Sequence, residues 1–243
     1  MGANFSANFW PGTLGIETMT DRARQLPSLT VHYPTPVERK ADQWVHIIGL
    51  TAGGLGGLTL LGLSLGFGRL GQSAAVAVYA ACLVAMFFCS AAYNLASPRR
   101  RPLLRRLDHA AIFLMIAGSY PPFTPQRLHG PWAWGMTAAV WALALAGAGG
   151  KLFLPGLAKG FWVVLYLLLG WIVIVALKPM LAGVSLIAMI LLLAGGLVYS
   201  LGVIVYLRET LPFRRAIWHG FVVAAAATHY AAILTGVVLA ERG

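Results

Sequence analysis

The sequence predicts an all-α membrane protein: a seven-transmembrane helix bundle with its N-terminus in the cytoplasm and its C-terminus outside. Three observations carry that expectation. Apolar residues make up 59% of the 243 positions and charged residues only 10%, more apolar surface than a soluble domain of this size can bury. The apolar residues fall into seven stretches, each about long enough to cross a bilayer, which takes roughly 20 helical residues. The basic residues between these stretches alternate in number from one connector to the next, as the positive-inside rule requires.

In chain order, residues 1–40 form a polar arm with Pro11, Pro27, Pro34 and Pro36 and no continuous apolar run. Residues 41–240 form the helical domain, with helices expected near 44–66, 74–96, 108–125, 132–150, 160–178, 181–207 and 216–239. The first carries Gly49, Gly53 and Gly57 four apart, a small-residue face that lets another helix approach closely. Its neighbour is expected within the bundle, with a second copy of the chain as the alternative, so an oligomer through helix one stays possible. Cys82 and Cys89 lie seven residues apart on the second helix, too far for a disulfide, and read as small buried hydrophobes. The third stretch opens on Asp108-His109 and is stopped by Pro121, Pro122 and Pro125. Tyr120, Trp132 and Trp134 are placed in an aromatic belt at the outer boundary.

Charge sets the orientation. Of the 18 lysines and arginines, only Arg69, Arg127, Lys178 and Arg242 fall on one side of the expected topology. The others, among them Arg39, Lys40, the Arg99–Arg101 run, Arg105, Arg106, Arg214 and Arg215, fall on the other, which is therefore cytoplasmic. The net charge of +11 calls for no nucleic-acid partner. Arginines beside helix ends meet membrane lipids instead, anionic head groups above all, at about 1 kcal/mol each. The expected location is the cell membrane, as a multi-pass protein.

The same orientation sorts the polar residues by depth. Glu38, Asp42 and His46 stand four apart at the start of the first helix, so they share a face. Ser90 and Asn94 end the second, Asp108 and His109 open the third, and Arg215 and His219 open the seventh. Four helices thus bring polar groups to one end, and ionisable residues within membrane helices mark functional sites by default. The expected network is Asp42, His46, Ser90, Asn94, Asp108, Arg215 and His219, with Arg215 paired to Asp108. His229 lies deeper, as a hydrogen-bonded packing residue.

The segment Asp108–Pro125 resembles the third-helix signature of the hemolysin III proteins, the bacterial branch of the progestin and adiponectin receptor superfamily. Glu38-x3-Asp42-x3-His46, Ser90-x3-Asn94, Tyr166–Trp171, Gly195–Gly202 and Ile217–Val223 agree in order. The resemblance implies seven helices, a bacterial inner-membrane location and roles in membrane perturbation, cytolysis or envelope lipid homeostasis. It also implies a zinc ion held by one histidine four residues after the helix-two serine and by two histidines opening helix seven. Zinc-dependent hydrolysis of amides and esters is the activity proposed for such sites.

This chain departs from that pattern. Asn94 and Arg215 stand at two of the three histidine positions, His219 keeps the third, and Asp42 replaces an asparagine. A guanidinium does not coordinate metal. The sequence therefore favours a degenerate zinc site, no cofactor (zinc being the possible exception) and a non-enzymatic protein. The alternative is a metal-dependent hydrolase of a lipid amide or ester, with Ser90, Asp108 and His219 as catalytic candidates and His219 and Asp108 as residual ligands.

Overall fold

The computed structural model describes residues 32–67, 69–154 and 156–240. Most of the arm expected over 1–40 lies outside them. Of the first unit, Met1–Pro34, the described part is His32–Pro34, where the His32 and Tyr33 rings meet edge-on at 4.8 Å. The unit from Thr35 onward is helical, and among the described residues there is no strand.

Seven long helices run through it: α1 Pro36–Gly66, α2 Leu70–Leu95, α3 Arg101–Gly118, α4 Pro131–Phe153, α5 Lys159–Gly183, α6 Leu186–Leu207 and α7 Arg214–Val238. Six of them are long and apolar enough to cross a membrane. The seventh, α3, is 18 residues long and carries Arg101, Arg105, Arg106 and Asp108 along its first half. The helices pack α1–α2, α2–α3 and α3–α4 along the chain, α6 against α7, and α7 back onto α1, while α5 touches α3, α4 and α6. Leu60, Val76, Tyr79, Phe113, Val140 and Ile233 are fully enclosed between them. Leucines and isoleucines such as Leu58, Leu186 and Ile187 cover the outside, where only lipid tails would solvate them.

Local chemistry explains where the boundaries differ from expectation. α1 starts at 36 rather than 44 because Thr35 Oγ1 accepts from the Glu38 N–H at 3.2 Å and Pro36 takes the first helical position. α3 spans 101–118 rather than 108–125. It needs an apolar face only toward its neighbours, so it begins among the arginines behind Pro102. At its far end Pro121 and Pro122, which lack N–H groups, end the α3 ladder, and after one turn closed by the Thr124 N–H on the Tyr120 carbonyl a short helix, Thr124–Arg127, follows. α5 runs to Gly183, beyond the expected break at 178. A 3₁₀ stretch, Ile172–Ala176, restarts the helix and leaves Pro179 in a first turn, where its missing N–H is not needed. Ser185, accepting from the Ala188 N–H at 3.4 Å, then caps α6.

Tyr120 is the second correction. It is buried instead of lying in a belt, and its hydroxyl donates to the carbonyls of Leu169 and Gly170 at 3.3 and 3.4 Å. Those are carbonyls that the switch to 3₁₀ geometry releases from α-helical bonding, and an unmet carbonyl in an apolar interior is costly. Trp132 and Trp134 are exposed near the start of α4. The glycine face of α1 is used within the chain: Gly49 and Gly53 abut the Phe87 ring and Gly57 abuts Ala80. Cys82 and Cys89 are free and half-buried.

Two variants test this packing. Tyr120→Phe should destabilise by about 1–3 kcal/mol, the cost of stranding buried carbonyls. Gly147→Leu should do more damage, because even a Cβ there would overlap the Phe113 ring. Thermal unfolding of detergent-purified protein reads both, and an unchanged midpoint for Tyr120→Phe would remove the capping role.

Candidate active site

Two polar clusters are buried in the bundle. One, of Ser64, Gln72 and Ser73, sits where α1 passes to α2; Gln72 donates to Ser64 Oγ at 3.2 Å and serves that turn. The other, at the opposite end, collects Asp42 and His46 from α1, Ser90 and Asn94 from α2, Asp108 from α3 and His219 from α7, all buried. Four-residue spacing puts Asp42 with His46, and Ser90 with Asn94, on one face of their helices. The packing of α7 against α1 and of α2 against α1 then turns those faces toward each other.

Asp42 is the hub. Its side chain is fully enclosed, with Oδ1 2.6 Å from His219 Nδ1 and Oδ2 3.3 Å from His46 Nε2. A buried carboxylate costs several kcal/mol unless it is paired, and two imidazoles supply partners here. With Asp42 ionised and the ring neutral, the short Asp42–His219 contact puts the proton on His219 Nδ1 and makes Nε2 the acceptor. Ser90 Oγ lies 3.4 Å from that nitrogen. Asn94 Nδ2 donates to the Ser90 carbonyl at 3.0 Å and reaches Ser90 Oγ at 3.5 Å, while Asn94 Oδ1 accepts from Arg215 at 3.3 Å. A continuous hydrogen-bonded line thus runs from Arg215 through Asn94, Ser90 and His219 to Asp42. The His46 and His219 rings stand 4.4 Å apart.

Asp108 faces the same cluster, next to Ser90 and within electrostatic range of His46, Asp42 and Arg215. Arg215, expected to pair with Asp108, donates to Asn94 Oδ1 at 3.3 Å and stays within electrostatic range of the Asp108 carboxyl. His109 turns away from its neighbour Asp108, with its carbonyl accepting from Tyr166 at 3.0 Å and its ring 6.5 Å from that of Tyr93. Glu38 stays in the cap turn. His229 is held by the Ala225 carbonyl at 2.9 Å and lies against Tyr199 and Gly195 as a packing residue.

Sequence reasoning weighed ligands by the zinc positions that the resemblance supplied, and there Asn94 and Arg215 do not fit a metal. It passed over a second set. Asp42, His46 and His219 bring one carboxylate oxygen and two imidazole nitrogens within 4.8 Å of one another, all buried. Two imidazoles and a carboxylate are a zinc-type donor set. The buried His46 Nε2 atom lies 3.3 Å from Asp42 Oδ2 without a well-directed hydrogen bond to it. The spacing Asp42-x3-His46 was the available signal; His219 joins it only through the α1–α7 contact.

Comparison with known proteins agrees with this architecture. The Haemolysin-III related family matches residues 38–230. Hemolysin-3 of Bacillus cereus is 38% identical over 168 residues, covering 68% of this chain and 77% of that protein. The Hemolysin-3 homolog of Bacillus subtilis (strain 168) is 35% identical over 142 residues, 58% of this chain and 67% of its own length. The human monocyte to macrophage differentiation factor is 32% identical over 169 residues, 64% and 67% of the two chains. The chain belongs to the hemolysin III family and is a multi-pass membrane protein.

The convergence of 94, 215 and 219 is testable. Asn94→His combined with Arg215→His would set three imidazoles around one point, and the double variant should retain zinc through gel filtration. Metal analysis of purified protein reads this, and a metal-free double variant would mean that the three side chains do not share a cavity.

Proposed function

We propose that this hemolysin III protein crosses the membrane seven times, α3 included, and hydrolyses an acyl ester or amide of a membrane lipid at the polar end of its bundle. The observation that carries the reading is the buried Asp42–His219–Ser90 line with Asp108 beside it, an acid–base constellation rather than a scatter of wet helix ends. Degeneracy at the expected zinc positions favoured a non-enzymatic protein. The grouping of His46 with Asp42 and His219 was absent from that reasoning and shifts the preference to catalysis.

Depth supports the substrate class. From Asp42 to the end of α1 at Gly66 the helix rises about 36 Å, against a hydrocarbon core of about 30 Å. With Gly66 at one boundary, Asp42 and His46 lie at the other, where the acyl linkages of bilayer lipids sit. The arginines around 99–106 and at 214–215 surround that end, which supports a cytoplasmic placement and contact with anionic head groups. If a divalent cation binds, Asp42, His46 and His219 are the residues that would hold it, and it would polarise a carbonyl or acidify a water there. Hydrolysis of acyl lipids loosens bilayers, which links the chemistry to the cytolysis in the relatives' names and to lipid homeostasis in a bacterial inner membrane.

Arg215, Asn94 and Ser90 are mutually bonded, and that closure favours a second reading in which the cluster only seals the bundle. Purified protein in vesicles of defined acyl esters and amides separates the two. Release of free fatty acid should be lost in His219→Ala and kept in Glu209→Gln, whose carboxylate sits outside the spans against Lys159. No release from folded wild-type protein would favour the sealing reading. Cysteines placed at 99 and 129, which flank α3, should label from opposite faces of the membrane, and labelling from one face would overturn the seven-span topology.

A further inference from the structure

Six hydroxyl side chains in this bundle share one habit. Thr59, Ser73, Thr124, Thr137, Ser200 and Thr235 each return their hydroxyl to the carbonyl four residues earlier, at 2.8–3.1 Å. That is the cheap way to satisfy a hydroxyl inside a helix. Ser90 does otherwise. It sits in the interior of α2 with the Met86 carbonyl in the equivalent place, yet its Oγ reaches across to α7 and meets His219 Nε2 at 3.4 Å. The other nitrogen of the same ring is held by Asp42 Oδ1 at 2.6 Å.

We propose that Ser90, His219 and Asp42 form a nucleophilic triad, so that this chain cleaves acyl lipids through a covalent acyl-serine. The proposal rests on the hydrolase reading above and specifies its chemistry. Three residues from three helices, in the chain order acid, nucleophile, base, reproduce the roles by which such triads are recognised, which depend on geometry and not on sequence position. Asp42 accepts the Nδ1 proton and fixes the tautomer in which Nε2 is the base. Ser90 is hydrogen-bonded to that base, the arrangement that activates an otherwise weak nucleophile. Asn94 Nδ2, 3.5 Å from Ser90 Oγ and held by the Arg215 guanidinium on its Oδ1, is a donor beside the nucleophile, on the side where the carbonyl oxygen of an attacked acyl group would gain charge. All three triad residues are buried, and helices rather than loops hold them, so the line is fixed before substrate arrives.

The step balances without a further reagent. Ser90 Oγ bonds to the acyl carbon as its proton moves to His219 Nε2. The bond to the departing alcohol or amine breaks, and His219 returns the proton to that group. Water then attacks the acyl-serine, with His219 taking a proton from it and passing one back to Ser90 as the fatty acid leaves. Asp42 is a positioning residue throughout.

The test treats full-length detergent-purified protein with a long-chain alkyl fluorophosphonate, maps the adduct by tandem mass spectrometry and follows hydrolysis of p-nitrophenyl decanoate with and without 1,10-phenanthroline. The expected result is an adduct on Ser90, absent from Ser90→Ala, with turnover indifferent to the chelator. Asp42→Asn, which keeps the shape and misassigns the tautomer, should slow labelling on the order of 10²–10⁴-fold while the chromatographic profile and substrate KM hold. Because the adduct is mapped on the wild-type chain, a variant that fails to fold does not decide the matter. Turnover that phenanthroline abolishes, with no adduct on Ser90, would overturn the triad and leave the hydrolase reading standing. Monodisperse protein with neither turnover nor adduct would overturn both.

Discussion

The Asp42 carboxylate is the constraint around which this end of the bundle is organised. A charge placed inside a helical membrane protein must find partners there, since no water or opposing ion is available at low cost. Asp42 finds them on its own helix one turn later, at His46, and on the last helix, at His219. The second contact joins α1 to α7 and so closes the ring of helices with a directed bond as well as with apolar packing. Once His219 is oriented by that bond, its remaining nitrogen fixes where Ser90 must lie, and α2 is drawn into the same line. The site and the closure of the fold are therefore one arrangement.

Such a line is stable only if the rest of the bundle does not compete for its members. Ser90 forgoes the back-bond that other hydroxyls in these helices make, which Asn94 offsets by donating to the Ser90 carbonyl. Elsewhere the chain meets its polar obligations locally: Tyr120 covers the carbonyls released in α5, Ser185 caps α6, and the deep His229 bonds the Ala225 carbonyl. Among the described residues, the line from Arg215 to Asp42 is drawn from three helices at one end. That concentration distinguishes a site from the ordinary cost of burying polar groups.

Most of the fold was legible because hydropathy and proline placement report directly on what lipid and backbone sterics demand. The misplaced boundaries share a cause: average hydropathy does not see faces. α3 begins among arginines, two of which bond neighbouring backbone carbonyls at Ala96 and Leu152, and Tyr120 turns inward although its neighbours in sequence read as an interface. For the site, four-residue spacing identified which residues share a face but not which faces meet. Asp42 and His219 lie 177 positions apart, and nothing local announces their contact. The bond from Arg215 to the Asn94 amide, 121 positions away, is equally silent in the sequence.

Arg215 is where the two chemistries open to this site part company. A guanidinium that cannot lose its proton repels a divalent cation across a poorly solvated cavity, so its presence beside Asn94 weakens any metal held by Asp42, His46 and His219. The same fixed charge, held on Asn94, would favour the negative charge that develops on the carbonyl oxygen of an acyl group attacked by Ser90, because a preorganised donor in a water-poor site needs no reorientation. Asp42 meanwhile directs its oxygens to the two imidazoles. The carboxylate is thereby placed to stabilise a proton arriving on His219, the state through which a serine nucleophile must pass. The cation held on Asn94 and the anion behind His219 suit acyl transfer to Ser90, and the Asp108 carboxyl beside the serine is the charge they act against.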